Sequence, residues 1–143
     1  MTGATGYVGK RILPLLLKEG HHVICCVRDK SRFEVNNYDM QNISVVEVDL
    51  LDADSLSKIP KDIDIAYYLI HSMSSAQDYK SLEKNSAINF RKRLSETNVE
   101  QVIYLSGIVN EDNLSEHLLS RKTVEQELEK GNYALTCLRA GII

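Results

Sequence analysis

The sequence has little of several things, and each shortage excludes a class of protein. Three cysteines stand among 143 residues. Cys25 and Cys26 are adjacent and Cys137 is far along the chain, so neither a disulfide framework nor metal-ligand spacing is present. Reduced, buried thiols in a cytoplasmic protein are the reading that follows. Neither sign of charge dominates: 17 basic residues face 20 acidic ones, for a formal net charge of −3. That balance argues against a general nucleic-acid or anionic-membrane surface. No apolar run reaches the ~18 residues that a membrane span needs, and the opening residues do not read as a signal peptide. There is no internal repeat and no low-complexity linker. What is left, 43% apolar and 26% charged residues, fits one soluble domain with one core.

What is there begins with Thr2-Gly3-Ala4-Thr5-Gly6-Tyr7-Val8-Gly9. The glycines permit a tight turn and a close approach of backbone N–H groups to an anion. The turn opens into a helix read over residues 7–19 and stopped at Gly20, with an apolar stripe of Ile12, Leu13, Leu16 and Leu17. A helix start carries unpaired donors and partial positive charge, so a pyrophosphate suits it. Gly9 lets the helix lie close to the sheet or to a cofactor. Pro14 removes one helix hydrogen bond and predicts a kink. The spacing is G-x-x-G-x-x-G, which by itself also describes a plain turn and helix cap. A strand-like run at residues 23–27 supplies the context that a phosphate-binding turn needs. The strand that should precede the turn is missing, and in a doubly wound sheet that strand is central. Its absence predicts two buried sheet edges without partners, with no later run as an obvious replacement.

The rest of the chain alternates in the same manner. Residues 43–48 and 63–70 read as strands, with a short helix over 53–59 capped by Asp52 and a turn at 60–62. A helix over 79–97 places Ala87, Phe90 and Leu94 on one face, and Asn85 and Asn89 on another. Strands over 101–105 and 133–138 flank a helix over 115–130. Such alternation implies a doubly wound α/β domain, in which ligands bind beyond the C-terminal ends of the strands. Arg28-Asp29 follow the run at 23–27, with Lys30 and Arg32 nearby. A cation there would pair with the 2′-phosphate of NADP(H), and Asp29 keeps NAD(H) open. Asp49 follows the next strand, where it can contact an adenine edge or cap a turn. His71 follows the strand at 63–70 and titrates near neutral pH; it is a candidate cleft residue, and no partner at metal spacing accompanies it. Ser106 stands at the end of the strand at 101–105. His117 and Arg121 are four apart and project together.

These motifs together resemble the atypical, extended-like short-chain dehydrogenase/reductase superfamily. The resemblance is to its NmrA-like branch of NAD(P)H-binding proteins, which includes nucleoside-diphosphate-sugar epimerase-like members. It rests on the turn at residues 2–9, Val27-Arg28-Asp29, Val48-Asp49-Leu50, Ala66-Tyr67-Tyr68-Leu69-Ile70-His71-Ser72-Met73, Asn89-Phe90, Ile103-Tyr104-Leu105-Ser106-Gly107 and Leu138-Arg139-Ala140. It implies an α/β, Rossmann-like doubly wound parallel sheet with helices on both faces, here lacking its first strand. It further implies cofactor contacts from Gly3, Thr5, Gly6, Tyr7, Val8, Gly9, Arg28, Asp49, Leu50, Ile70, His71 and Ser72. Catalytic members carry a tyrosine and, four residues later, a lysine on the helix after the fifth strand, and the tyrosine passes a proton to the substrate. Laid on this sequence, that motif meets His117 and Arg121, with Ser106 near the helper serine's place and Lys122 competing with Arg121. Arginine stays charged and histidine has a different reach, so the standard proton relay is absent.

Two readings follow. One is an NAD(P)H-binding oxidoreductase-like protein preferring NADP(H), with residues 1–143 as its dinucleotide domain, a substrate subdomain beyond residue 143 and an unidentified small-molecule substrate. The other is a non-catalytic NAD(P)H-sensing or protein-interaction module, acting through a partner surface such as residues 31–42.

Overall fold

In the computed structural model, which describes residues 1–34, 38, 40–71, 78–108 and 115–141, the glycine-rich turn leads into helix α1, Tyr7–Lys18. Leu13 is fully buried on its inner face, while Pro14 and Leu15 look outward. The helix runs through Pro14 as one element. It closes with Gly20 N–H on the Leu17 carbonyl at 3.0 Å and His21 N–H on the Leu16 carbonyl at 3.1 Å, the paired bonds that satisfy a helix end.

Strands β1, Val23–Val27, and β2, Ile43–Glu47, form one parallel ladder, with Val23 opposite Ile43 and Val27 opposite Glu47. Strands β3, Ile65–Tyr68, β4, Gln101–Gly107, and β5, Ala134–Ala140, form a second parallel ladder in that order. The place between β1 and β3, expected to lack any strand, is held at one end by Met1 and Thr2. Cys26 N–H donates to the Met1 carbonyl at 2.9 Å, and Thr2 N–H donates to the Tyr67 carbonyl at 2.9 Å. Thr2 bridges Cys26 in parallel register. The spatial order β2, β1, Met1–Thr2, β3, β4, β5 is that of a doubly wound sheet, with Met1 and Thr2 at its central place.

Helices α2, Tyr79–Leu94, and α3, Glu116–Leu128, pack on each other. They lie on the sheet face opposite α1, so the buried residues fall into two clusters. Cys25 joins Leu13, Val27 and Phe33; Cys26 joins Tyr68, Phe90, Tyr104 and Leu128. The adjacent cysteines thus face opposite sides, as strand alternation requires. Burial pushes the Cys25 thiol up to about 11. Ala87, Phe90 and Leu94 are all buried, and Tyr68 meets Phe90 edge-on at 5.2 Å. Each such large side chain contributes about 1.5–3 kcal/mol through burial.

Several boundaries differ from the sequence expectation. The helix expected over 53–59 is a single tight turn, Ser55–Lys58; Asp52 caps the chain just before it, accepting from Asp54 N–H at 3.0 Å. β3 is shorter than its apolar run: it pairs with β4 over Ile65–Tyr68, and just past it Leu69 N–H donates to Thr2 Oγ1 at 3.2 Å. β4 and β5 are longer than expected, since Ser106 pairs with Arg139 and Gly107 with Ala140. Asn89 braces the end of β2 by donating to the Leu50 carbonyl at 2.9 Å.

Candidate functional site

The site starts where main chain meets main chain. Gly3 has φ +69°, and a Cβ on it would lie 2.9 Å from the Leu69 carbonyl oxygen. A Cβ on Gly9 would lie 2.2 Å from the Gly3 carbonyl oxygen. Only glycine lets the end of β3, the turn and the first turn of α1 come together in this way. Gly6 is the N-cap of α1, no side chain caps it, and no acidic residue occupies the first turn. The helix therefore presents its positive end without an acceptor from its own cap or first turn. Thr5 and Val8 are half-buried beside it, and Tyr7 is exposed with the Arg11 guanidinium 3.5 Å above its ring.

At the end of β1, Asp29 is engaged by its own turn. Its Oδ1 accepts from Ser31 N–H at 2.9 Å and from Ser31 Oγ at 2.6 Å, and these bonds hold the carboxyl below its ordinary range. Arg28 is exposed, and among the described residues none pairs with it. At the end of β2, Asp49 Oδ1 accepts from Leu51 N–H at 2.9 Å, so its side chain shapes a turn. Leu50 is buried beneath that turn.

Beyond β3 the chain passes Ile70, half-buried, to His71. Burial, and then the Arg121 charge, push the His71 imidazole down to about 4, against a hydrogen bond with the Leu105 backbone that works the other way. His71 is therefore neutral at neutral pH. Its ring lies 6.1 Å from that of Tyr104. Arg121 reaches the same place from α3, because Gly107 has no side chain: a Cβ there would meet Arg121 Nη1 at 3.1 Å. Tyr104 holds the backbone of α3 by donating from its hydroxyl to the Arg121 carbonyl at 3.2 Å. Ser72 lies outside the described residues.

His71 and Arg121 are thus brought together, while the other two candidates go elsewhere. Ser106 is fully buried, and its hydroxyl donates toward Glu125 Oε2 at 3.4 Å. The other oxygen of Glu125 accepts from Arg139 at 2.6 Å. His117 is exposed and stacks on Tyr79 of α2 at 5.1 Å. Sequence reasoning passed over Tyr104, Glu125 and Glu83, which accepts from Ser120 in the buried seam between α2 and α3. Tyr104 had a signal in the alternation of β4. Glu83 and Glu125 had none, since both read as solvent-facing helix charges.

Comparison with known proteins places the chain in a family. The model of a family described as NAD(P)H-binding matches residues 3–141. Eugenol synthase 2 from Clarkia breweri is 32% identical over 84 residues, covering 54% of this chain and 27% of that protein. The structure of Citrobacter sp. triphenylmethane reductase complexed with NADP(H) aligns with a TM-score of 0.81 at 21% identity, over 99% of this chain and 48% of that one. The NADPH-dependent quinone oxidoreductase of Escherichia coli complexed with NADPH aligns with a TM-score of 0.78 at 18% identity, over 96% of this chain and 47% of that one. The chain spans about half the length of these solved structures (48% and 47%) and about a quarter (27%) of the curated relative.

Proposed function

The chain belongs to the NAD(P)H-binding family, and from that premise we propose that it holds NADP(H) along the C-terminal edge of its sheet as the dinucleotide part of an oxidoreductase. The uncapped, acid-free start of α1, with Gly9 kept bare against Gly3, carries this reading. Thr5, Gly6, Tyr7 and Val8 receive the pyrophosphate on backbone N–H groups, and Gly3 and Gly9 keep the approach open. Arg28 pairs with the 2′-phosphate. Asp29 is turned to Ser31 and so offers the ribose hydroxyls of NAD(H) a poorer acceptor, which supports NADP(H) over NAD(H). Asp49 and Leu50 border the adenine, while Ile70 and His71 border the nicotinamide end.

When bound, the cofactor supplies a hydride. Arg121 supplies a fixed positive charge at the end of β4, and neutral His71 supplies a hydrogen-bonding ring. Neither is suited to donate a proton at neutral pH: arginine keeps its proton and His71 has already lost one. Ser106 is sealed under Glu125. After hydride transfer the substrate, unidentified and small, must then take its proton from water or hold the negative charge itself. The same observation favours a second reading, a non-catalytic NAD(P)H sensor.

Parallel titration of NADPH and NADH tests the binding. Selective, saturable NADPH binding that Arg28→Ala weakens supports the assignment; equal indifference to both nucleotides removes it. A following screen for substrate-dependent NADPH oxidation separates the enzyme from the sensor.

A further inference from the structure

Arg121 of α3 is a half-buried cation, and among the described residues no carboxylate accepts from its guanidinium. The helix offers it a partner one turn on, since Glu125 stands at the (i, i+4) spacing that suits an ion pair. Glu125 is engaged elsewhere: one oxygen accepts from Arg139 of β5 at 2.6 Å and the other from Ser106 Oγ at 3.4 Å. One turn back, His117 stacks on Tyr79. Glu83, whose charge acts on Tyr104, accepts from the Ser120 hydroxyl. The place of the guanidinium is nevertheless fixed. A Cβ on Gly107 would lie 3.1 Å from Arg121 Nη1 and 3.4 Å from Arg121 Cδ, so the arm lies along bare main chain at the end of β4. Its root is held by the Tyr104 hydroxyl, which donates to the Arg121 carbonyl at 3.2 Å. The uncharged His71 ring feels the same charge, and among the described residues Arg121 is the one basic group that acts on both His71 and Tyr104.

We propose that Arg121 is the anion receptor for the substrate and that the hydride acceptor carries a carboxylate, an assignment that rests on the cofactor reading above. A cation taken partly out of water without a counter-charge is costly. Here it is kept at the carboxyl edge of the sheet, where ligands of such folds bind, and an anionic ligand offsets the cost. The guanidinium presents a planar fork of N–H donors that matches the two oxygens of a carboxylate. Charge balance points the same way. One cation beside a neutral imidazole balances a monoanion, whereas a phosphate dianion would leave a charge unbalanced. The substrate carboxylate and the pyrophosphate thus meet different donors, the first a side chain on α3 and the second the main chain at the start of α1.

The test titrates the 143-residue chain with benzoate and with its uncharged counterpart benzamide, each with and without saturating NADP+. Proton–nitrogen NMR spectra follow the Gly107 amide and the Arg121 Nε–H. Benzoate is expected to bind at least about tenfold more tightly than benzamide, the scale of a charged hydrogen bond, and to shift both signals. Arg121→Gln should bring benzoate down to the benzamide level, and Arg121→Lys should restore part of the preference. Neither should change NADP+ affinity. Equal binding of the two probes, or a preference that survives Arg121→Gln, overturns the proposal. So does an NADP+ affinity that falls about tenfold in Arg121→Gln, which would assign the guanidinium to the cofactor. Failure of the unaltered chain to bind NADP+ removes the cofactor reading instead, and the nucleotide-free titration then decides the receptor by the same criteria. Should Arg121→Gln fail to fold, the benzoate-induced shift of the Arg121 Nε–H in the unaltered chain decides: present, it supports the receptor; absent, it overturns it.

Discussion

At the Gly3–Gly9 turn the surface offered to a ligand is main chain, and at the ends of β3 and β4 it is a set of side chains already engaged with one another. The first end owes its shape to missing atoms. A Cβ on Gly3 or Gly9 would collide with a carbonyl at 2.9 or 2.2 Å, and no side chain caps α1. The second end is filled: Tyr104 bonds to the Arg121 backbone, Arg121 lies on Gly107, Glu125 joins Ser106 to Arg139. A preorganised set of N–H donors needs no rearrangement to take an anion. The side-chain end, by contrast, is held by packing and can lose one member while keeping its form. Tolerance to substitution should therefore differ sharply between the two.

The largest effect should come from Gly9→Ala. The new methyl meets backbone that cannot give way, so we expect a loss of about 1–3 kcal/mol in urea unfolding and at least a tenfold weaker grip on NADPH, roughly 1.4 kcal/mol. Gly6→Ala sharpens the contrast. Its Cβ would sit 3.2 Å from the Gly3 carbonyl, and a cost under about 1 kcal/mol is expected. Equal damage from both would erase the argument from close approach.

Next is Arg28→Ala, where isothermal titration should show NADPH affinity falling by about tenfold or more, the scale of a charged hydrogen bond, with NADH affinity unchanged. A parallel fall for both nucleotides would place the arginine elsewhere on the cofactor.

The third effect is one of pH and belongs to the filled end. The unfolded chain protonates His71 near 6.5, and the folded chain only near 4. Between those values the unfolded state binds more protons, so the stability is complete above about pH 6.5 and falls as the pH drops toward 4. Unfolding free energies from urea melts at pH 7 and pH 4.5 should differ by roughly 1–3 kcal/mol from this group. His71→Asn should flatten that acid limb; an unaltered limb would mean that His71 is not the buried group responsible.

Smallest of all should be Ser106→Ala. It removes one long hydrogen bond to Glu125, costs about 0.5–1.5 kcal/mol, and should leave NADPH affinity as it was. A loss of binding without a loss of stability would show that the buried hydroxyl reaches the cofactor after all.

Local signals carried much of this protein. Glycine spacing, apolar runs and alternating periodicity depend on residues near one another in the chain, and they gave α1, the parallel strands, the opposed faces of Cys25 and Cys26, and the buried stripe of α2. The glycine-rich turn before α1 was legible for the same reason, since its spacing lies within residues 2–9. What the sequence could not decide were matters of pairing at a distance. The two-residue bridge of Met1 and Thr2 depends on Tyr67, far along the chain, and the ends of β4 and β5 depend on each other's register. His117 and Arg121 share a helix face in the sequence, yet one goes to Tyr79 and the other to Gly107 and His71, because the helix is met by different neighbours along its length. Burial of Ser106 and Glu83 and the depressed proton affinity of His71 likewise exist only once helices close over the sheet: solvent exclusion is a property of the packed molecule, and no single stretch of chain contains it.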